Sequence, residues 1–263
     1  MERAGAKGRR AGVPGADFWT EQTVAWYARA LARSDYARRV LEVLGPDLER
    51  CRDALDVGAG CGALALPLAR RLGAVTALEP APAMAAALRA AAARERLDHI
   101  EVVQAAWGEV RVRPHDLVLC AHVGGLMRHD SPFLREVGVV ARRLVCLVRD
   151  VEAAPHGDKF FFSELYPALL GRPYEHRCED DETLAGLERL GIRPEVTVIA
   201  YRSDQPFTSL DEACDFFMTY LGVEGPAPRA YLQRFLAARL ERRAGEWIAP
   251  FRKSAAVITW RTG

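Results

Sequence analysis

Lysine is nearly missing from this sequence. Of 263 residues only Lys7, Lys159 and Lys253 are lysines, while arginine is abundant and alanine fills the helical stretches. We read that skew as genomic composition bias without functional weight. Net charge is equally scarce: 36 basic against 35 acidic residues leave +1. The chain has neither the basic footprint of a nucleic-acid binder nor an acidic tail. No apolar run reaches the roughly 18–20 residues of a membrane span, so no membrane partner is expected. The six cysteines form no C-x-x-C pair, and Cys120 and Cys146 lie in apolar runs where cysteine acts as a small buried hydrophobe. A reduced, cytoplasmic setting is expected. Four histidines (His115, His122, His129 and His156) show no metal-ligand spacing, so no metal is expected. Internal repeats are absent. Half the residues are hydrophobic, enough for one large domain or a core with sizeable insertions.

What is present is organised around Ala54-Leu55-Asp56-Val57-Gly58-Ala59-Gly60-Cys61-Gly62. A short apolar run reaches Asp56, and glycines follow at alternate positions. A helical pattern then opens (Leu64, Leu66, Leu68, Ala69, Leu72) and stops at Gly73. Strand, glycine turn and helix form the nucleotide-binding entry of an α/β sheet. Glycine takes positive φ cheaply and lets a ligand touch bare backbone, and free N–H groups at a helix start can hold a polar group.

Residues 1–17 are Gly-, Ala- and Arg-rich without periodicity, and a disordered tail is expected there. Residues 18–50 read as an N-terminal helical cap of two helices, rich in aromatics and stopped at Gly45-Pro46. Residues 51–150 alternate strands (54–57, 74–78, 100–104, 116–120, 143–148) with helices (63–72, about 82–94, and one capped by Ser131-Pro132), which means βαβ units in a mostly parallel sheet. The near-continuous apolar runs 117–120 and 144–148 suit strands buried on both faces. In residues 151–263, strands 195–201 and 255–261 complete the sheet around two inserts, at about 151–180 and 205–250. The first is aromatic, and the second opens on the capping box Ser209-Leu210-Asp211-Glu212.

Two cofactors fit the turn. Gly58-x-Gly60-x-x-Ala63 matches the dinucleotide fingerprint, and Glu79 ends the second strand where an acid binds ribose hydroxyls. Taken alone, these features do not separate NAD from S-adenosylmethionine. Asp56-x-Gly58-x-Gly60-x-Gly62, with Leu78-Glu79-Pro80 closing the next strand, resembles the class I S-adenosylmethionine-dependent methyltransferases. The resemblance covers about residues 18–150 in pattern and the rest in strand order. It implies a Rossmann-like, doubly wound, seven-stranded sheet with an antiparallel last strand, and lids in the N-terminal helices and the two inserts.

The resemblance also implies roles. Gly58, Ala59, Gly60 and Gly62 pass under the methionine part of the cofactor, and Asp56 orients its ammonium group. Glu79, followed by Pro80, takes the ribose hydroxyls, and Met84 flanks the adenine. The family often places an acid after the third strand to meet the adenine amino group. Here Gln104-Ala105-Ala106-Trp107 stands in that place, leaving the Ala106 backbone and the Trp107 ring as contacts. Ala121, at the end of the fourth strand, completes the cofactor set.

Methyl transfer from a sulfonium is an in-line displacement, so alignment and exclusion of water are the main tasks. The site of an open α/β sheet lies beyond the carboxyl ends of its strands, which points to Ala121-His122-Val123-Gly124 and Arg149-Asp150. His122 is the candidate base, because imidazole titrates near neutrality. Arg149, Trp19, Tyr27, Glu164, Tyr166 and Tyr174 are candidate acceptor contacts. No Asn/Asp-Pro-Pro-aromatic signature follows the fourth strand, and with near-zero charge a small-molecule acceptor is favoured over nucleic acid. Two rivals remain. An NAD-dependent oxidoreductase lacks its Tyr-x-x-x-Lys pair here, and a non-catalytic cofactor-binding module would bind without turnover.

Overall fold

The computed structural model describes residues 16–151, 159–175 and 180–262. Of the expected tail, residues 1–15 lie outside the described residues; Ala16–Phe18 form a 3-10 turn. Helix α1 (Glu21–Leu31) starts on Thr20, whose hydroxyl accepts from the Thr23 N–H while Thr23 reaches back to the Thr20 N–H, a reciprocal cap. Helix α2 (Tyr36–Glu49) does not end at Gly45-Pro46 as expected. Gly45 breaks it (φ 39°, ψ −124°), and a further turn then carries Leu48 into the core.

The core follows as β1 (Asp53–Val57), α3 (Ala65–Ala69), β2 (Ala74–Leu78), α4 (Pro82–Arg94), β3 (Ile100–Val103), β4 (His115–Ala121), α5 (Phe133–Val140) and β5 (Ala141–Asp150). Helix α3 is shorter than the sequence pattern of 63–72, because the glycine turn continues to Leu64. Beyond β5 come α6 (Phe162–Leu170), α7 (Asp180–Arg189), β6 (Glu195–Arg202), β7 (Gln205–Phe207), α8 (Leu210–Leu221), α9 (Pro226–Arg239), β8 (Glu241–Arg243), β9 (Glu246–Ala249) and β10 (Arg252–Arg261).

Seven strands make one sheet in the order β3-β2-β1-β4-β5-β10-β6. The first five pair in parallel, and β10 runs antiparallel between β5 and β6. Strand β1 is buried along its whole length, and β5 from Leu144 to Arg149, as expected for strands covered on both faces. One face packs on α2 and α3 through Tyr36, Val40, Leu44 and Leu68; the other packs on α5 through Phe133 and Val137.

The two inserts fold together. Strands β7-β9-β8 form a small antiparallel sheet, and with α6, α8 and α9 they enclose a second core of Phe162, Leu165, Phe207, Phe216, Phe217, Leu232 and Leu236. Trp26 of α1 belongs to that core, stacked edge-on against Phe216. Its indole Nε1 donates to Glu212, and Arg29 pairs with the same carboxylate. Burial raises the Glu212 carboxyl, but Arg29 and two bonds from Thr208 outweigh it and hold the group down to about 2. Helix α1 is thus fastened to the cap, and the cap to the sheet's carboxyl edge.

Among the described residues no helix is long and apolar enough to cross a membrane, and no cluster of three or more His, Cys, Asp or Glu side chains could hold a metal ion.

Candidate functional site

The glycine turn is pinned to the end of β2: the N–H groups of Gly58 and Ala59 donate to the Leu78 carbonyl at 2.8 and 3.1 Å. Gly58, Gly60 and Gly62 all have positive φ, yet they answer to different neighbours. A Cβ on Gly58 would stand 2.3 Å from Val123 Cγ2, and one on Gly62 2.5 Å from Leu88 Cδ1. These two are glycine because the chain itself crowds them. A Cβ on Gly60 would find nothing nearer than Met84 Sδ at 4.0 Å. Gly60 therefore offers bare backbone at open space, the cradle a ligand needs.

Glu79 closes the turn. Its Oε2 accepts from the Gly60 N–H at 2.9 Å and its Oε1 from the Ala81 N–H at 2.8 Å. It is only 6 % exposed, and burial pushes its carboxyl upward against those two bonds. Each carboxylate oxygen keeps a further lone pair, which suits a pair of ribose hydroxyls. The residues present therefore fit an adenosyl cofactor.

Asp56 lies deeper, at 2 % exposure, and accepts from the Ala65 N–H. Burial, reinforced by the charge on Glu79, raises its carboxyl to about 7. The folded protein thus keeps this proton up to about pH 7, whereas the unfolded chain releases it near its ordinary value of about 4. The cost of ionising Asp56 in the fold accrues across that window and is complete above it. Asp56→Asn is expected to gain stability relative to the parent between pH 5 and pH 8, on the order of 2 kcal/mol. Denaturant unfolding at both pH values measures this, and parallel profiles for the two proteins would overturn it.

Helix α1 covers the turn. Val24 packs with Cys61, Ala81 and Met84, and Trp19 and Tyr27 pack against the same group. Met84, expected at the adenine, is 2 % exposed within this cluster. Ala106 and Trp107 are engaged elsewhere. The Ala106 N–H donates to Glu109, and Trp107 donates to Glu136 with its ring edge-on to Phe133. Both features tie the loop after β3 to itself and to α5.

At the end of β4, Ala121 pairs with Val148 of β5, and His122 adopts φ 57°, a left-handed conformation that histidine tolerates better than most residues. Its backbone N–H donates to Val148, and its ring lies 5.4 Å from that of Tyr36, which lies 4.8 Å from Tyr201. Both ring nitrogens of His122 are buried without a hydrogen bond, as is the Tyr36 hydroxyl. His122 Nδ1 stands 3.2 Å from Asp150 Oδ1, and Asp150 meets Lys253 at 3.1 Å. Burial pulls the Lys253 ammonium down, but Asp150 and Tyr201 outweigh it and raise it. Burial pushes the Tyr201 hydroxyl up to about 12 against the pull of Lys253.

The other expected acceptor contacts lie elsewhere. Arg149 is 1 % exposed, and as Asp150's neighbour on β5 it faces the opposite side of the sheet. Tyr166 and Tyr174 stack with Phe162 inside the cap core, and exposed Glu164 pairs with Arg239. Sequence reasoning missed Tyr36, Tyr201 and Lys253. Among the described residues Lys253 is the only lysine in a strand, a placement that composition alone does not reveal.

Residues 54–143 match the methyltransferase domain among known protein families. No curated protein matches the sequence. A crystal structure from Bacillus halodurans, provisionally assigned as a methyltransferase, superposes with a TM-score of 0.52 at 17 % identity, covering 86 % of this chain and 98 % of its own. Magnesium protoporphyrin IX methyltransferase from Synechocystis, with bound S-adenosylhomocysteine, gives 0.45 at 14 % identity over 90 % and 82 %. With the fold of the first structure and the domain match across its glycine turn, the chain carries a class I S-adenosylmethionine-dependent methyltransferase domain.

Proposed function

We propose that this methyltransferase acts on a small-molecule acceptor, with His122 as the general base. The observation that carries the reading is the buried corner at the ends of β4 and β5. There the two ring nitrogens of His122 and the Tyr36 hydroxyl are buried together without a hydrogen bond, with Tyr201 beside them. Such enclosure suits a ligand that is taken in whole rather than a polymer lying across a surface. Near-zero net charge supports the same choice. Five free, buried cysteines among the described residues go with a cytoplasmic setting.

In this reading Gly60, Glu79 and Asp56 hold the cofactor. When bound, S-adenosylmethionine supplies an electrophilic methyl group on its sulfonium. The chain's own part is alignment, exclusion of water by Trp19, Tyr27 and the cap, and removal of the acceptor's proton by His122.

The test uses methyl-labelled S-adenosylmethionine with fractionated small-molecule extract and, separately, with total RNA and DNA. Label is expected in a low-mass product; label in nucleic acid alone would refute the acceptor class. For the base, His122→Asn keeps a residue tolerant of positive φ. It is expected to lower turnover about 10²–10⁴-fold while S-adenosylhomocysteine affinity is unchanged. Undiminished turnover would remove His122 from the role.

A further inference from the structure

The last strand brings to this corner a charge that cofactor binding does not explain. Lys253 of β10 stands directly across from Tyr201 of β6, and Ala255, two residues on, stands across from Asp150 of β5. Lys253 and Asp150 are therefore diagonal neighbours on one face of the sheet. The Lys253 ammonium lies 3.1 Å from Oδ1 and 3.3 Å from Oδ2 of Asp150, and its side chain is 20 % exposed. Oδ1 also lies 3.2 Å from Nδ1 of His122. One carboxylate thus serves an ammonium and an imidazole, contributed by three different strand ends.

We infer that Lys253 is a positioning residue. By holding Asp150 against Nδ1 of His122, it fixes the neutral imidazole as the Nδ1–H tautomer and leaves the Nε2 lone pair to accept the acceptor's proton. The inference rests on the reading of His122 as the base.

An ionised carboxylate only accepts hydrogen bonds, and a neutral imidazole carries one N–H and one bare nitrogen. The nitrogen facing the carboxylate keeps the proton, since two lone pairs repel; the other is left bare. The Asp150 side chain is 42 % exposed, and an ammonium in contact with both of its oxygens narrows the rotamers open to it. Lys253 also balances the charge of Asp150. The hydrogen bond from Nδ1 is not yet aligned, and such bonds commonly tighten only when ligands close the site. On the far side, Tyr36 and its neighbour Tyr201 wall the ring in place. Nε2 is buried with no partner of its own, as a nitrogen kept for an incoming proton must be.

The experiment is a long-range proton–nitrogen correlation of histidine-labelled protein, saturated with S-adenosylhomocysteine, at a pH where imidazole is neutral. The His122 signals are assigned by their loss in His122→Asn. The parent is expected to show a protonated Nδ1 and a bare Nε2. Lys253→Met is expected to shift the ring toward the Nε2–H form, and Lys253→Arg to restore the parent pattern. A parent ring in the Nε2–H form would overturn the inference. So would an unchanged pattern in a Lys253→Met protein that melts and binds S-adenosylhomocysteine like the parent. Should Lys253→Met not fold, Asp150→Ala, which keeps the lysine and removes the acceptor, must by itself lose the Nδ1–H form; if the form persists, the inference fails. Failure of the base reading looks different: the Nδ1–H tautomer is found, yet His122→Asn turns over normally.

Discussion

Glu79→Ala is expected to weaken S-adenosylmethionine binding by roughly 1–3 kcal/mol, the value of hydrogen bonds to a charged group. Two losses combine in that figure. The carboxylate is the acidic group at the β2 end, where ribose hydroxyls are received. It also ties the Gly60 N–H to the Ala81 N–H, so its removal loosens the bare backbone proposed to carry the cofactor. Glu79→Gln separates the two. An amide oxygen can still accept from one of these N–H groups, but its nitrogen only donates, so an intermediate loss is expected. Calorimetric titration of the three proteins decides, and equal affinity for all three would remove Glu79 from the site.

Gly58→Ala is expected to damage the fold itself. A non-glycine residue at φ 73° carries about 1–2 kcal/mol of strain. A Cβ 2.3 Å from Val123 Cγ2 adds overpacking of about 1–3 kcal/mol. Val123→Ala in the same chain relieves the second part and leaves the first, so the double variant is expected to be more stable than Gly58→Ala alone. Gly60→Ala, at φ 57° with its nearest neighbour 4.0 Å away, meets the strain without the crowding, so it is expected to lose only about 1–2 kcal/mol, less than Gly58→Ala, while losing cofactor affinity. Denaturant midpoints measure all three. If the double variant is no more stable than the single, the crowding by Val123 is not what makes residue 58 a glycine.

These glycines show where a sequence stops being readable. The strand, the turn and the strand-end acid at Glu79 lie within one local βαβ unit, and each carries its own signal of apolar run, glycine spacing and charge. What a missing Cβ faces is set largely by residues far along the chain: Val123 for Gly58 and, beside the nearby Leu66, Leu88 for Gly62. Hence the three look alike in sequence and differ in space. His122 could be named because it follows a recognisable buried strand. Its partners could not, since the pairing of Lys253 with Tyr201, and of Ala255 with Asp150, depends on β10 entering between β5 and β6. The cap was legible only as aromatic inserts. Tyr166 and Tyr174 were candidates for pocket walls because aromatic residues serve both uses. The structure spends them on a separate core, while Trp26, from the other end of the chain, joins it.

The placement of β10 also bears on how the protein is made. Strand β5 has one edge on β4 and the other on β10, and residues Leu144 to Val148 on it are almost wholly buried. On the ribosome, β5 emerges about a hundred residues ahead of the strand that covers it, at synthesis rates of about 5–20 residues per second. For those seconds a long apolar strand stands with its hydrogen-bonding edge bare, the arrangement most prone to pairing with another nascent chain. The same delay applies to the proposed site at His122 and Asp150, whose Lys253 arrives on the last strand of the sheet. A chaperone that shields β5 until β10 has been made is therefore expected to raise the protein's yield.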